Sequence, residues 1–216
     1  IFQSQLFNAQ YINCLNFVIE GGSIESDGKG TLLTTSECLL SPNRNGAWNK
    51  DQIEQYLKEN LGISRILWLD HGFLEGDDTD SHIDTLARFC PNDTIAYIQC
   101  NDPKDHHYKA LKDMESQLQS FRTQDNRPFR LLPLPMADEI VFDNERLPAT
   151  YANFLIINGA VLYPTYNQPI NDSRTAEILT TAFPERQIIG IDCRALIKQH
   201  GSLHCVTMQY PKNVIK

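Results

Sequence analysis

The sequence has no CxxC pair, no long apolar run and no excess of positive charge, and each absence removes a class of function. Its six cysteines, Cys14, Cys38, Cys90, Cys100, Cys193 and Cys205, are scattered along 216 residues. That spacing is not a disulfide framework. Cys38, Cys90, Cys100 and Cys193 lie in or beside apolar runs, as buried thiols do. A reducing, cytoplasmic compartment is therefore expected. No apolar run approaches the ~20 residues of a membrane span, so no membrane partner is expected. No secretory signal is visible, and the chain starts with Ile rather than Met, which suggests a fragment or a processed chain. Lys and Arg total 19 against 27 Asp and Glu, a formal charge of -8. That balance argues against nucleic acid and suits a small cationic partner. What is present is ordinary for a globular chain: 41% of residues are hydrophobic, enough for a sizeable core.

The chain also repeats itself. "RILWLD" (Arg65–Asp70) aligns with "QIIGID" (Gln187–Asp192) at an offset of 122 (192 − 70), and His82 aligns with His204 at the same offset (204 − 82). "CLLSPNRN" (Cys38–Asn45) and "AVLYPTYN" (Ala160–Asn167) share that offset too, as Pro42 matches Pro164. A weaker middle copy runs from "AYIQCNDP" to "FRLLPLP". Each copy reads as an apolar strand closed by a Pro/Asn turn, then an amphipathic helix, then a second apolar strand. In "NKDQIEQYLKENLG", Asn49 or Asp51 suits an N-cap, Ile53, Tyr56, Leu57 and Leu61 fall at helical spacing, and Gly62 is the stop. "DSRTAEILTTAF" repeats the pattern with Ile178, Leu179 and Phe183. The expected fold class is α/β, built from about three ββαβ modules arranged around an axis, so that equivalent loops converge.

Those loops hold the chemistry. One offers Glu20 beside Gly21 and Gly22; a second offers Asp77, Asp78, Asp80, His82 and Asp84; a third, "KQHGSLHC", offers His200, His204 and Cys205. A thiolate can act as nucleophile when a positive neighbour lowers its pKa from ~8.5. Histidine can donate and accept a proton near neutral pH, and a carboxylate can clamp a guanidinium through paired N–H groups. Metal readings are weaker. The Asp77–Asp80 cluster lacks the Gly and terminal Glu of a calcium loop. His200 and His204 are spaced for zinc on a helix, but Gly201 and Ser202 intervene. No metal is expected. His204 reads as a local orienting residue, His106-His107 as the start of an exposed helical turn, and Trp48 and Trp68 as packing residues.

Three blocks in order, "NFVIEGGSIESDGKGTLLTTSECLLSPNRN", "ILWLDHGFLEGDDTDSHIDT" and "GSLHCVTMQYP", resemble the agmatine deiminase / bacterial (Porphyromonas-type) peptidylarginine deiminase family. That family belongs to the guanidine-modifying superfamily with the pentein fold, a five-module α/β propeller. The resemblance runs from about Asn16 to Pro211. It implies that Cys205 is the nucleophile, His82 the general acid/base, Asp84 the guanidinium clamp, and Glu20 the carboxylate that engages both substrate and His82. Asp84 would point the same way as His82 if their segment were a strand. The implied reaction is hydrolysis of agmatine, or a related small guanidine, to N-carbamoylputrescine and ammonia through a covalent thiouronium, with no cofactor.

Two departures qualify it. Where agmatine deiminases read Gly-Gly-Gly-Asn before Ile-His-Cys, this chain places Gln199 and His200 at two of the glycines and Ser202 at the Asn. The choice of guanidine is therefore open, and deimination of peptidyl-arginine is an alternative. Only nineteen residues precede Glu20, whereas the family draws a second clamping Asp from that part. Residues 1–216 are thus expected to be one catalytic domain, the C-terminal part of the propeller, with about two modules absent. Open strand edges would favour a homo-oligomer. The alternative of another class is a non-catalytic propeller fragment that needs a partner chain.

Overall fold

The computed structural model describes residues 6–216. Three modules follow one plan. In the first, β1 (Ile24–Ser26) pairs antiparallel with β2 (Thr31–Thr35), and β2 pairs parallel with β3 (Arg65–Leu69) in the register Thr31 to Arg65. Two single-turn helices, α1 (Ser36–Leu39) and α2 (Pro42–Asn45), and then α3 (Lys50–Leu61) make the crossover. The second module opens with the single turn α4 (Ile83–Leu86) and continues β4 (Ala87–Cys90), β5 (Thr94–Gln99), α5 (Tyr108–Ser120) and β6 (Arg130–Pro135). A short hairpin, β7 (Val141–Phe142) and β8 (Glu145–Arg146), leads to the third: β9 (Leu155–Ile157), β10 (Ala160–Thr165), α6 (Pro169–Ala182) and β11 (Gln187–Asp192). In every module the middle strand is antiparallel to the first and parallel to the third.

Alternation along the strands sorts the core. Ile66 and Trp68 of β3 join Leu32, Ile53 and Leu57 in a cluster between the first sheet and α3. Leu67 and Leu69 face the other way with Leu33, into a larger cluster that also takes Ile95 and Ile98 of β5 and Val161 of β10. The period of two therefore gives each sheet a helix face and a central face. α3 starts where the sequence places it: Asn49 and Gln52 form a reciprocal capping box, and Gly62 ends the helix at φ 65. Trp48 stacks edge-on against Phe17 and Tyr56, and Trp68 is buried, both as packing residues.

One buried ion pair joins all three modules. Arg88 of β4 donates Nε–H to Glu25 of β1 at 2.8 Å and Nη1–H to the Phe154 carbonyl at 2.5 Å. Its guanidinium lies 5.0 Å from the centre of the Phe154 ring.

Several expectations change. "CLLSPNRN" is not a strand but the helices α1 and α2; the counterpart of "AVLYPT" is "TLLTT", offset by 129 (160 − 31), because the first crossover is longer. The offset of 122 holds for β3 and β11 (187 − 65). Helix α6 starts at Pro169, before Asp172, whose carboxylate accepts the Tyr166 and Gln168 amides. His107 is 1% exposed rather than on a surface turn. Its Nδ1–H donates to Asp105 and its Nε2 accepts the Glu75 amide, so both ring nitrogens are satisfied. Cys90 is half-buried, while Cys38, Cys100 and Cys193 are buried as expected. No helix among the described residues is long and apolar enough to cross a membrane.

Candidate functional site

Glu20 precedes a single 3-10 turn, Gly21–Ser23, at the entry to β1. His82 is the residue before α4, and Asp84 lies inside that turn, so the segment is a helical turn and not the strand on which a shared direction of the two side chains was conditioned. The two side chains meet all the same, because both pack against Gly22. A Cβ on Gly22 would sit 2.6 Å from His82 Nδ1 and 2.9 Å from Asp84 Oδ2. Only glycine lets that backbone approach so closely. "KQHGSLHC" is also not a loop entering a strand. It is two single 3-10 turns, Leu196–Gln199 and His204–Val206, joined through His200 at φ 63. That left-handed position is one a glycine would adopt without steric cost. Histidine tolerates it here while its Nδ1–H donates to the Gly76 carbonyl at 2.7 Å.

These turns, together with the acidic loop after β3, line one cleft of about 590 Å³. Glu20, Asp77, Asp78, His82, Asp84 and Cys205 all face it, and among the described residues no Lys or Arg does. His82 Nε2–H donates to Glu20 Oε2 at 3.0 Å. Arg44 of α2 donates Nε–H to the same oxygen at 2.6 Å. Burial pushes the Glu20 carboxyl up, but the hydrogen bonds from Arg44 and His82 outweigh it and hold the group below its ordinary pKa. Asp84 is 1% exposed. Its Oδ2 accepts His204 Nδ1–H at 2.7 Å, while Oδ1 is buried and has no partner among the described residues. An unpaired buried carboxylate oxygen beside a cleft is a costly arrangement unless a donor arrives. His204 therefore orients Asp84, as the local reading anticipated.

Cys205 opens onto the cleft. Its Sγ is 3.5 Å from Asn153 Oδ1, which also accepts the His204 amide at 2.7 Å. Burial around the sulfur, and next the Asp84 charge, push the Cys205 thiol above its ordinary pKa. At neutral pH the free thiol is protonated, and an entering cation would favour the thiolate.

Asn153 and Arg44 escaped the sequence reading. Asn153 is fully buried and bridges two turns, since its Nδ2–H donates to the Asp84 carbonyl at 3.3 Å. An Asn amid the apolar residues of "TYANFLI" was the available signal. Asp77 organises its own loop, accepting the Thr79 hydroxyl and the Ser81 amide, as a structural rather than calcium-binding role requires. Glu20, Cys38 and His82 bring three potential ligand atoms within 4.8 Å of one another. Arg44 already supplies the cation at that Glu20 oxygen.

The description "Porphyromonas-type peptidyl-arginine deiminase" names the family matched by residues 2–211. The chain belongs to that family. A Vibrio parahaemolyticus relative, provisionally named an agmatine deiminase, is 39% identical over 212 residues, covering 90% of this chain and 58% of the relative. A crystal structure from Porphyromonas gingivalis, provisionally named an arginine deiminase, is 57% identical with a TM-score of 0.91, covering 94% of this chain and 59% of that one. The agmatine deiminase of C. jejuni, solved as a C315S variant with substrate bound, is 46% identical with a TM-score of 0.82, covering 88% and 55%. This member of the family thus spans a little under three-fifths of the length of the relatives it matches. The α/β modules are those of the pentein fold.

Proposed function

We propose that the chain carries the reaction centre of a guanidine deiminase that converts agmatine and water to N-carbamoylputrescine and ammonia. The observation that carries this reading is the convergence of Glu20, His82, Asp84 and Cys205, from turns far apart in sequence, on one acidic cleft. Four carboxylates line the cleft, and among the described residues no Lys or Arg lines it; Arg44 pairs with Glu20 alone of the four, from behind. That favours a guanidine with a second positive group and disfavours free arginine, whose carboxylate would meet like charge. The unpaired Asp84 Oδ1 supplies an acceptor for a guanidinium N–H.

In this reading the guanidinium enters and favours the Cys205 thiolate, and the thiol proton passes to His82. Sulfur bonds to the guanidinium carbon. His82 returns the proton to one nitrogen, the C–N bond breaks, and ammonia leaves a thiouronium on Cys205. His82 then takes a proton from water as its oxygen adds to the carbon. The C–S bond breaks, the ureido product departs, and the excess proton leaves with ammonia as ammonium. Glu20 stays ionised beside His82 and stabilises its protonated form.

The test is ammonia release from agmatine, arginine and an arginyl peptide by the 216-residue chain. Agmatine turnover that falls to background in Cys205→Ala supports the proposal. Unchanged turnover in that variant, or none in the parent chain, sinks it, and peptide-linked citrulline would replace agmatine with peptidyl-arginine. Ile12, Leu15, Val206 and Met208 are all well exposed, which favours self-association of the chain in a reducing, cytoplasmic setting. A monomer by light scattering at all concentrations would exclude it.

A further inference from the structure

Arg44 engages three partners at once and touches the cleft only through them. It is 10% exposed in its side chain. Its Nε–H donates to Glu20 Oε2 at 2.6 Å, Nη1–H to Asp80 Oδ2 at 2.6 Å, and Nη2–H to the Thr79 carbonyl at 2.9 Å. Among the described residues, every hydrogen bond to the Glu20 carboxylate falls on Oε2, from Arg44, His82 and the Cys38 thiol. Through that shared oxygen, at 2.6 Å from Arg44 Nε and 3.0 Å from His82 Nε2, the position of the ring depends on the guanidinium behind it. Asp80 itself sits at φ 58, and the following Ser81 at φ 58. A loop turned through two consecutive left-handed residues needs an anchor to persist. Arg44 gives it one at Asp80 and Thr79, and Thr79 faces the cleft. The fork of a guanidinium can make these bonds together; a lysine ammonium reaches one or two of them.

We infer that Arg44 is a positioning residue: it fixes the Glu20–His82 pair and ties to it residues 79–81, which continue the acidic Asp77–Asp78 wall of the cleft. The groups facing His82 are Glu20 from the first turn, Cys38 from α1, Asp84 from its own turn and Arg44 from α2 behind Glu20. Of these, Arg44 alone is positive. Its loss removes one of the two nitrogen donors that hold Glu20 Oε2 against His82, and residues 79–81 lose their tether.

This inference builds on the deiminase reading, so its test does not depend on turnover. The His82 ring N–H signal and amide hydrogen exchange at Thr79, Asp80 and Ser81 are followed by NMR in the 216-residue chain, in Arg44→Gln and in Arg44→Lys. In Arg44→Gln the slowly exchanging ring N–H bonded to Glu20 is expected to be lost, with faster exchange of the three amides. Arg44→Lys keeps a single bond to Glu20 and so keeps the ring signal, while the three amides still exchange faster. An unchanged ring signal in Arg44→Gln, or a Lys variant that loses it as Gln does, overturns the inference. If Gln fails to fold, the Lys variant alone decides: slow parent-like exchange at 79–81 refutes the tether. If the parent deiminates agmatine, Gln is expected to lower kcat and raise KM, whereas Lys mainly raises KM. A parent without turnover defeats the deiminase proposal and leaves the exchange result standing.

Discussion

Replacing Arg88 with Met should loosen the joint between all three modules. The substitution keeps most of the side-chain volume and removes the charge. Glu25 is 8% exposed and would retain only the Phe89 amide at 3.0 Å. The Phe154 carbonyl would lose its donor, and the Phe154 ring its cation. Breaking a buried, hydrogen-bonded pair from one side costs about 3–5 kcal/mol. For a chain of this size each kcal/mol lowers Tm by about 2–4 °C, so a fall of roughly 6–20 °C is expected. Circular dichroism and calorimetry read it directly. Hydrogen exchange should quicken together in β1, β4 and residues 152–154, because one side chain reaches all three. The double variant Glu25→Gln/Arg88→Met removes the stranded charge and should recover at least about 1 kcal/mol. An Arg88→Met protein that melts within about 3 °C of the parent, or that loosens β4 alone, would refute the reasoning.

Gly22→Ala places a Cβ 2.6 Å from His82 Nδ1, where 3.4 Å is ordinary contact. The ring must shift by most of an ångström, and on the proposed deiminase reading kcat/KM for agmatine should drop about 100-fold with a modest change in Tm; parent-like turnover in the variant would show that the close approach is dispensable. Alkylation of Cys205 by iodoacetamide should be slow at pH 7 and climb with a midpoint above the ordinary thiol value of ~8.5; mass spectrometry of the modified peptide checks this, and a midpoint below 8 would contradict it. Burial holds His107 below its ordinary pKa despite Asp105 beside it. The unfolded chain therefore binds the extra proton first, and stability is lost as pH falls through about 6.5. Asp105 is held at about 2, its burial outweighed by the His107 amide and Arg146, and adds a further loss as pH falls through its unfolded value of 3.8. His107→Gln keeps a donor and an acceptor and should flatten the first of these two falls in Tm; an unchanged slope between pH 7 and 5 would count against the assignment.

The β–α–β skeleton was legible because its signals are local. Alternation in "RILWL", the Asn49–Gln52 box and Gly62 each act within a few residues. The misalignment of "CLLSPNRN" with "AVLYPTYN" has a physical cause: Pro followed by Asn suits both the first turn of a helix and the end of a strand. Burial of His107 was invisible because it depends on Glu75, thirty-two positions away (107 − 75), supplying a donor. The segment holding His82 and Asp84 has the β-branched Ile83 and Thr85, which favour a strand, yet the Gly22 backbone accepts both side chains only from a single helical turn. Glu20, His82, Asp84 and Cys205 stood out through their flanking motifs. Arg44 and Asn153 did not, because all their bonds to the cleft cross long stretches of chain.

The lengthened first crossover has a meaning for the propeller as a scaffold. Between β2 and α3 the chain spends residues 36–49, whereas residues 166–168 suffice between β10 and α6. Strand register and helix packing follow the same plan in both modules, so the front of a crossover is a socket whose length is free to vary. In the first module that socket holds Cys38 and Arg44 beneath the cleft. Its counterpart in the third lies beside the Cys205 loop, where the Tyr166 hydroxyl meets Ser202 Oγ at 2.8 Å. A segment grafted there would press on the Cys205 turn through Tyr166 and Ser202, so the length of that socket becomes a handle on the position of the thiol.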